Sequence, residues 1–247
     1  MKAIILAAGR GSRMGEGTEN IPKCMMTLGG RTLLDRCIDS LKQAGFESSD
    51  IGIVTGYKRE KIQIKDVQYF HNADWANTNM FFSLTMAGEL LKKEPCIVCY
   101  SDIVFSPNAI KMLIKSDSEF AITSYTEFWN LWQIRFDNPL DDLETFKLSD
   151  GRLVEIGNKP LCKDEVQGQY MGLLRFTPFG WEKVIQATRI SMPKPLAKLD
   201  MTTLLQHLIN LGHEIEVVET NDLWLECDNL YDIQIYERGD RGIIVPL

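Results

Sequence analysis

A glycine-rich loop after the first apolar run of the chain has the clearest potential for chemistry. Residues 2–6 predict a buried strand, and Gly9 and Gly11 follow it. Glycine at these positions lets the backbone approach a ligand and offers N–H donors to phosphate oxygens. Arg13 adds a planar fork for those oxygens, and Lys23 adds a compact positive charge. The segment predicts a phosphate-binding site at the carboxyl edge of a sheet.

The loop differs from two common phosphate-binding motifs. Met14 stands where the dinucleotide fingerprint G-x-G-x-x-G has its third glycine. No Gly-Lys-Ser/Thr follows, so the segment is not a P-loop. A plain tight turn remains the alternative, because Gly-x-Gly after a strand is weak support by itself.

Acidic residues follow two later apolar stretches. Asp102 comes after the predicted strand 96–100, where a carboxylate could hold Mg²⁺, although a turn or cap role is the plainer alternative. Asp228 also ends a strand and begins a helix, which fits an ordinary N-cap. Glu226 would share a strand face with Asp228, and Asp232 lies one helical turn further on.

Polar side chains gather at the start of a predicted helix. Asn77, Asn79 and Ser83 supply neutral donors and acceptors that could interact with a base edge or a ribose. Plain capping of the helix by asparagine is the alternative.

Aromatic residues cluster in the second half of the chain. Tyr125, Trp129 and Trp132 lie in one segment, and Tyr170 lies in the run Gly168-Gln169-Tyr170-Met171-Gly172. Such rings could surround a cationic acceptor head. Ordinary core packing is an equally good interpretation.

The first loop also carries a family resemblance. Leu6-Ala7-Ala8-Gly9-x-Gly11-Ser12-Arg13-Met14 with Pro22-Lys23 resembles the signature of the nucleotidyltransferases that make nucleotide-activated sugars and alcohols. The resemblance implies a Rossmann-like α/β/α sandwich, a loop that wraps a triphosphate, and Mg²⁺ as cofactor. The implied nucleotide-binding residues are Leu6, Ala8, Gly9, Gly11, Ser12, Arg13, Lys23, Gly56, Tyr57, Asn77, Asn79 and Ser83. Arg13 and Lys23 are the implied catalytic residues, and Asp102 and Asp228 are the implied metal ligands.

Two further segments narrow the resemblance. Residues 77–84 resemble the Asn-x-Asn-x-x-x-Ser-Leu stretch of cytidylyltransferases acting on phosphocholine and aminoethylphosphonate. Residues 132–146, with Glu155 and 169–172, look similar to relatives acting on phosphonates or on phosphoglutamine, the latter serving capsule phosphoramidate synthesis. The implied acceptor-binding residues are Tyr125, Trp129, Tyr170 and Glu226.

These resemblances imply a reaction in which CMP passes from CTP to a small phosphorylated or phosphonate acceptor while pyrophosphate leaves. The attacking oxygen is already anionic, so no general base is required, and positioning and charge neutralisation would supply the catalysis. A sugar-1-phosphate nucleotidyltransferase using UTP, dTTP or GTP is the alternative enzyme. A nucleotide-binding module without turnover is the alternative outside enzymes.

Composition limits the class of protein. The formal net charge of the 247 residues is −7, which disfavours a general nucleic-acid binder. No apolar stretch reaches the length of a membrane span, and the first apolar run is too short for a signal peptide. We predict that the protein is cytoplasmic and that its six cysteines are free thiols. The sequence is compatible with a homodimer and does not determine the oligomeric state. Cys96 and Cys99 mimic a C-x-x-C motif but would point to opposite faces of a strand.

The elements that must position these residues alternate in the first half and change character in the second. We predict one domain over 1–247, with a nucleotide-binding half at about 1–115 and an α+β acceptor-binding half at about 116–247. The predicted strands are 2–6, 50–55, 67–72, 96–100, 120–125, 132–136, 152–156, 169–176, 214–219 and 224–227. One predicted helix begins near Leu33. The other predicted helices span 79–93, 106–114, 178–188, 200–211 and 228–238. The fold class is therefore α/β with a mainly parallel mixed sheet.

Overall fold

Strands and short helices alternate along residues 1–190 and 192–239, which the computed structural model describes. The strands are β1 (Lys2–Ala7), β2 (Thr27–Leu28), β3 (Arg31–Thr32), β4 (Ile51–Thr55), β5 (Gln68–His71), β6 (Cys96–Tyr100), β7 (Ile103–Phe105), β8 (Phe120–Tyr125), β9 (Phe146–Ser149), β10 (Arg152–Ile156), β11 (Gln169–Phe176), β12 (Glu216–Thr220) and β13 (Trp224–Glu226). The helices are α1 (Leu33–Gln43), α2 (Met80–Thr85), α3 (Gly88–Leu91), α4 (Pro107–Ile114), α5 (Phe128–Arg135), α6 (Pro178–Ala187), α7 (Met201–Asn210) and α8 (Leu230–Arg238).

A large mixed sheet joins both halves of the chain, in the order β5-β4-β1-β6-β11-β8-β12-β10-β9. The first four strands are mutually parallel. β11 runs antiparallel to β6 and β8, β12 is parallel to β8, and antiparallel pairs join β12 to β10 and β10 to β9. Only β10 and β11 therefore oppose the other strands of this sheet as the structure describes it. The predicted α/β fold with a mainly parallel mixed sheet is confirmed.

Helix α1 illustrates how the sequence builds the helical layer. The Thr32 side chain accepts a hydrogen bond from the Asp35 backbone N–H and so caps the first turn. Apolar side chains recur at helical spacing and are buried: Leu33, Leu34, Cys37, Ile38 and Leu41. Gly45 follows the helix with a φ of 108°, a backbone conformation that suits glycine after a helix.

A separate two-stranded sheet brings together the two acidic positions that follow apolar stretches. β7 and β13 are antiparallel, and Ile103 lies opposite Glu226. The next residues continue the contact, because the Cys227 backbone N–H donates to the Asp102 carbonyl at 2.9 Å. This register places Asp102 beside the segment that leads to Asp228.

The predicted strand at 132–136 is wrong, because these residues belong mostly to α5. The buried positions of α5 recur three and four residues apart: Phe128, Leu131, Trp132 and Arg135. That spacing suits the buried side of a helix, whereas a strand with one buried face would alternate every second residue.

Two helix boundaries also differ from the prediction. The single helix predicted at 79–93 is divided into α2 and α3, and Gly88, an unfavourable residue for a helix interior, begins the second. α8 begins at Leu230 rather than at Asp228, because Asn229 is its N-cap. The side chain of Asp228 is therefore left available for other contacts.

All six cysteines are free thiols, as predicted. The Cys96 thiol donates to the Glu94 carbonyl, whereas the Cys99 side chain lies near Cys37 of α1. Within the described residues, no helix combines the length and apolar character needed to cross a membrane.

Candidate active site

The glycine-rich loop after β1 is built around the aliphatic stem of Lys23. Gly11 has a φ of 74°, and a Cβ added there would lie 2.7 Å from the Lys23 Cβ. Glycine is therefore required both by the left-handed backbone and by the close approach. The Thr18 hydroxyl donates to the Gly11 carbonyl at 3.0 Å and secures the loop. Gly9 has open space around its Cα, on the side that faces a pocket.

A second segment packs against this loop. The Tyr57 backbone N–H donates to the Ala8 carbonyl at 3.0 Å. A Cβ at Gly56 would lie 2.6 Å from the same carbonyl, so only glycine fits there. The Tyr57 ring meets the Trp75 ring edge-on at 4.9 Å between centroids. Gly56 and Tyr57 thus support the loop and Trp75.

The first pocket opens above the carboxyl ends of β1 and β6 and has a volume of about 620 Å³ including its mouth. Its lining includes residues predicted from the sequence: Leu6, Ala8, Gly9, Lys23, Asn79, Ser83 and Asp102. It also includes residues that the sequence analysis missed: Trp75, Thr78, Met80, Tyr100 and Ser101. A flat indole beside polar groups and a lysine suits a nucleobase and its phosphates.

The asparagine-rich segment divides into residues that line the pocket and one that does not. Asn79 caps α2 by accepting from the Met80 N–H at 2.8 Å, so its side chain has a structural role as well as a place in the lining. The Ser83 hydroxyl accepts from the buried Asn72 amide at 3.0 Å. Asn77 donates instead to Asp74 at 2.7 Å and is not part of the lining.

Lys23 joins the two predicted metal-binding carboxylates. Its Nζ donates to Asp102 Oδ2 at 2.6 Å and to Asp228 Oδ1 at 2.8 Å. Burial alone would lower the pKa of Lys23, but Asp102 and Asp228 outweigh it and raise that pKa well above its usual value. Burial would likewise raise the pKa of Asp228, but Lys23, Arg13 and Arg135 lower it below its ordinary value. The structure thus brings three predicted site residues into one ion-pair network.

Arg13 approaches the same network from solvent. Its Nη1 lies 3.1 Å from Asp228 Oδ2, and its side chain is 67% exposed. An exposed arginine with one ion pair can move toward a bound phosphate at little cost. Ser12 lies beside it, at the start of the 3₁₀ turn Ser12–Thr18.

A buried arginine that the sequence analysis missed lies behind these carboxylates. Arg135 of α5 donates to Glu226 Oε2 at 2.8 Å and makes two hydrogen bonds to Asp232. Its Nη2 also lies 3.8 Å from Asp228 Oδ2. Burial, followed by the charge of Asp228, raises the pKa of Glu226 above its ordinary value even though Arg135 opposes the shift.

A second pocket adjoins the first, because Met80 and Tyr100 line both. Its volume is about 960 Å³ including its mouth. Its polar lining is dominated by carboxylates: Asp142, Glu144, Asp200, Glu226 and Asp228. Burial raises the pKa values of both Asp142 and Glu144. Such a lining suits an acceptor that carries a positive charge.

Two of the four predicted acceptor-binding residues, Tyr170 and Glu226, line this second pocket. Tyr125 is absent from both linings, and its ring packs 5.5 Å from the Trp224 ring. Trp129 is also absent from them, and the Lys163 ammonium lies 4.6 Å from its ring centroid. These two aromatic residues, which the sequence predicts as acceptor-binding, therefore line neither pocket.

The pair Asp102 and Asp228 has the donor chemistry for a hard divalent cation, since both groups offer oxygen and already share one cation, the Lys23 ammonium. Among the described residues, no cluster of three or more His, Cys, Asp or Glu side chains suits a metal. A metal here would complete its shell with water and substrate oxygens, as Mg²⁺ commonly does.

Known proteins resemble this chain in sequence and in fold. The domain family described as the MobA-like NTP transferase domain matches residues 3–145. The chain is 32% identical to the CTP:phosphoglutamine cytidylyltransferase of Campylobacter jejuni, over 95% of this chain and 98% of that relative. It is 38% identical to the choline-phosphate cytidylyltransferase of Streptococcus pneumoniae, over 37% of this chain and 41% of that relative. The structure of the inositol-1-phosphate CTP transferase from T. maritima superposes with a TM-score of 0.74 at 19% identity, covering 99% of this chain and 98% of that chain.

Proposed function

Because the chain belongs to the family of MobA-like NTP transferases, we propose that it transfers CMP from CTP to a small phosphorylated or phosphonate compound and releases pyrophosphate. It is a nucleotidyltransferase enzyme. The main support within the site is the ion-pair network of Lys23, Asp102 and Asp228, which lies where two adjoining pockets meet.

The first pocket is proposed to hold CTP. Trp75 offers a face for the cytosine, while Asn79 and Ser83 offer hydrogen-bonding groups near the base or ribose. Gly9 leaves room for the triphosphate, Gly11 lets the Lys23 stem pack against the loop, and the predicted roles of Leu6, Ala8 and Ser12 follow from the same loop. Similarity to a CTP-using relative along nearly the whole chain supports cytosine as the base.

The family generally uses a divalent metal, and we propose Mg²⁺ for this chain. Asp102 and Asp228 would hold it, and the bound ion would neutralise charge on the α-phosphate. Lys23 would then release at least one carboxylate and turn its ammonium toward the pyrophosphate oxygens, where Arg13 can join it.

The remaining chemistry needs positioning more than proton transfer. An anionic oxygen of the acceptor forms a bond to the α-phosphorus while the bond to the pyrophosphate oxygen breaks on the opposite side. Arg13 and Lys23 stabilise the charge that accumulates on the leaving pyrophosphate. Among the described residues we assign no general base, because the acceptor oxygen arrives without a proton.

The second pocket is proposed to hold the acceptor. Its carboxylates favour an ammonium-bearing head of the phosphoglutamine, aminoethylphosphonate or phosphocholine type. Phosphoglutamine is the first choice, because a relative that is 32% identical over 95% of this chain is a CTP:phosphoglutamine cytidylyltransferase. We further propose one domain, a cytoplasmic setting, a product used in capsule or cell-surface polysaccharide synthesis, and no nucleic-acid or membrane partner; a homodimer is left open.

Pyrophosphate release in the presence of Mg²⁺ tests this proposal. CTP, UTP, dTTP and GTP are each combined with phosphoglutamine, aminoethylphosphonate, phosphocholine and glucose-1-phosphate. We expect release with CTP and one of the three non-sugar acceptors. Release only with glucose-1-phosphate would establish the sugar-phosphate alternative, and CTP binding without any release would favour a binding module.

A further inference from the structure

One guanidinium contacts three acidic side chains around the site. The side chain of Arg135 is 0% exposed and lies at the end of α5. Its nitrogens lie 2.8 Å from Glu226 Oε2, 2.9 and 3.1 Å from the two Asp232 oxygens, and 3.8 Å from Asp228 Oδ2. Arg135 lines neither of the pockets assigned to the two substrates.

We propose that Arg135, together with Asp232, is a positioning residue that fixes Asp228 for metal binding and Glu226 for acceptor binding. The inference rests on the proposed function, since it takes Asp228 as a metal ligand during nucleotidyl transfer. Arg135 touches neither nucleotide nor metal in this account and acts only through the carboxylates.

The backbone of Asp228 is fixed through Asp232. Asp232 Oδ2 accepts from the Asp228 N–H at 2.8 Å and from the Asn229 N–H at 3.2 Å. Arg135 in turn holds both oxygens of Asp232 in a bidentate pair, which sets the orientation of that carboxylate. The position of Asp228 therefore depends on a chain of contacts from α5 to the first turn of α8.

Aromatic rings fix the guanidinium itself. Its carbon lies 4.8 Å from the Trp132 ring centroid and 5.0 Å from the Phe136 ring centroid. Trp132 stacks on Trp224 of β13, with centroids 5.9 Å apart and an angle of 11° between planes. The same packing thus joins Arg135 to the strand that carries Glu226 and leads to Asp228.

Stability alone is a weak explanation for this arrangement. Buried ion pairs lose solvation that their attraction often fails to recover, so apolar packing would serve a purely structural purpose as well. A bidentate, ring-stacked arginine instead provides directional control that a lysine point charge lacks. Directional control matters at a metal ligand. Mutation of the residues that hydrogen-bond to metal ligands commonly lowers metal affinity or activity about 10–100-fold, and we expect an effect of this size here.

The test uses Arg135→Lys and Asp232→Asn, because Lys preserves the charge and Asn preserves the shape. Arg175→Lys is the matched control, since Arg175 is also buried and hydrogen-bonded, to the Ser118 carbonyl, but lies outside both pocket linings. Mn²⁺ serves as the probe. Its binding is measured as the loss of the electron-paramagnetic-resonance signal of free Mn²⁺, with and without CTP and in the absence of acceptor. Steady-state kinetics and thermal unfolding are measured on the same samples.

We expect both site variants to bind Mn²⁺ about 10–100-fold more weakly and to lose kcat by a similar factor. The KM for the acceptor should rise, because the substitutions release Glu226. The KM for CTP should stay within about threefold, because Arg135 reaches the nucleotide pocket only through Asp228. Arg175→Lys should lower the unfolding temperature without changing Mn²⁺ affinity or kcat.

Two results would overturn the positioning role: wild-type Mn²⁺ affinity and kcat in both site variants, or no Mn²⁺ binding to the wild type at all. An inactive wild type that nevertheless binds Mn²⁺ more tightly than Arg135→Lys would refute the proposed function and retain the positioning role.

Discussion

Lys23 donates to Asp102 and Asp228 at 2.6 and 2.8 Å, so neither carboxylate can turn away without breaking a buried ion pair. Asp102 is 24% exposed at its side chain and faces the first pocket, whereas Asp228 is 11% exposed and held from behind by Arg135. This asymmetry makes Asp102 the more accessible of the two proposed metal ligands. A single amide substitution there should test the metal assignment.

Asp102→Asn should lower kcat with CTP and acceptor at least about 100-fold, corresponding to about 2.7 kcal/mol of transition-state stabilisation. The reason is that a neutral amide is a weak ligand for Mg²⁺ and no longer balances the Lys23 charge. Pyrophosphate release and CTP binding are measured together, with Asp164→Asn at an exposed position as the control. Unchanged turnover in Asp102→Asn would remove this residue from the metal site.

The raised pKa of Glu226 predicts that the stability of the protein depends on pH. Its pKa is raised from 4.5 to about 7, first by burial and then by Asp228, so the folded state prefers the protonated form. The stability tied to that proton is complete below about pH 4.5 and is lost as pH rises through the raised pKa. Relative to Glu226→Gln, the wild type should lose about 1–3 kcal/mol of unfolding free energy between pH 4.5 and 8.

Urea unfolding across that pH range measures the difference, and Glu219→Gln, on the exposed side of β12, serves as the control. A difference that is constant with pH would mean that Glu226 has the same pKa in the folded and unfolded states. A difference of opposite sign would mean that the Arg135 contact outweighs burial and the charge of Asp228.

Single residues also mark the limit of the sequence analysis. Lys23 was predictable because Pro22-Lys23 belongs to the family signature, and Asp102 because it follows an apolar strand at a place where the resemblance implies a metal ligand. It missed Arg135, since a lone arginine in an aromatic stretch has no local signal, and its partners lie 91 and 97 residues away. The contacts arise only when α5 and α8 pack together.

At the scale of elements, the glycine-rich loop and the β7–β13 pair place the site. The loop was predictable because glycine spacing and the preceding apolar strand are local features. The β7–β13 pair was not, because the three residues of β7 follow Asp102 in what resembles a turn. Part of α5 was predicted as a strand because Trp132, Ile134 and Phe136 are residues of types that favour strands. Packing against α8 instead favours the helix.

Gly11→Ala should separate backbone strain from displacement of Lys23. Its φ of 74° matches the 76° of Gly30, but a Cβ at Gly11 meets Lys23 at 2.7 Å whereas a Cβ at Gly30 meets nothing within 4 Å. Both alanine variants should lose about 1–2 kcal/mol of unfolding free energy from the left-handed backbone. Only Gly11→Ala should also raise the KM for CTP, by about tenfold or more, through movement of Lys23.

Urea unfolding and steady-state kinetics on both variants provide the measurement. An equal KM for CTP in Gly11→Ala and Gly30→Ala would show that the close packing of Gly11 on Lys23 has no part in nucleotide binding.

At the scale of the whole molecule, the sheet places two pockets at one carboxyl edge. β1 and β6 supply the loop and Asp102, while the antiparallel neighbour β11 contributes Tyr170 to the second pocket. The mainly parallel sheet was predictable from alternating strands and helices, but the reversed β11 was not, because strand direction depends on distant pairing. That reversal brings the second half of the chain against the first pocket, where the proposed acceptor and CTP would meet.

The most direct test of cytidylyl transfer is ³¹P nuclear magnetic resonance of the protein mixed with CTP, Mg²⁺ and phosphoglutamine. We predict that CTP is consumed while pyrophosphate and a new CMP–acceptor conjugate appear in equal amounts, with two coupled phosphorus signals from the conjugate. Aminoethylphosphonate and phosphocholine are run in parallel as the other proposed acceptors. Pyrophosphate accompanied only by free CMP, with no conjugate from any of the three acceptors, would contradict cytidylyl transfer to a small non-sugar acceptor.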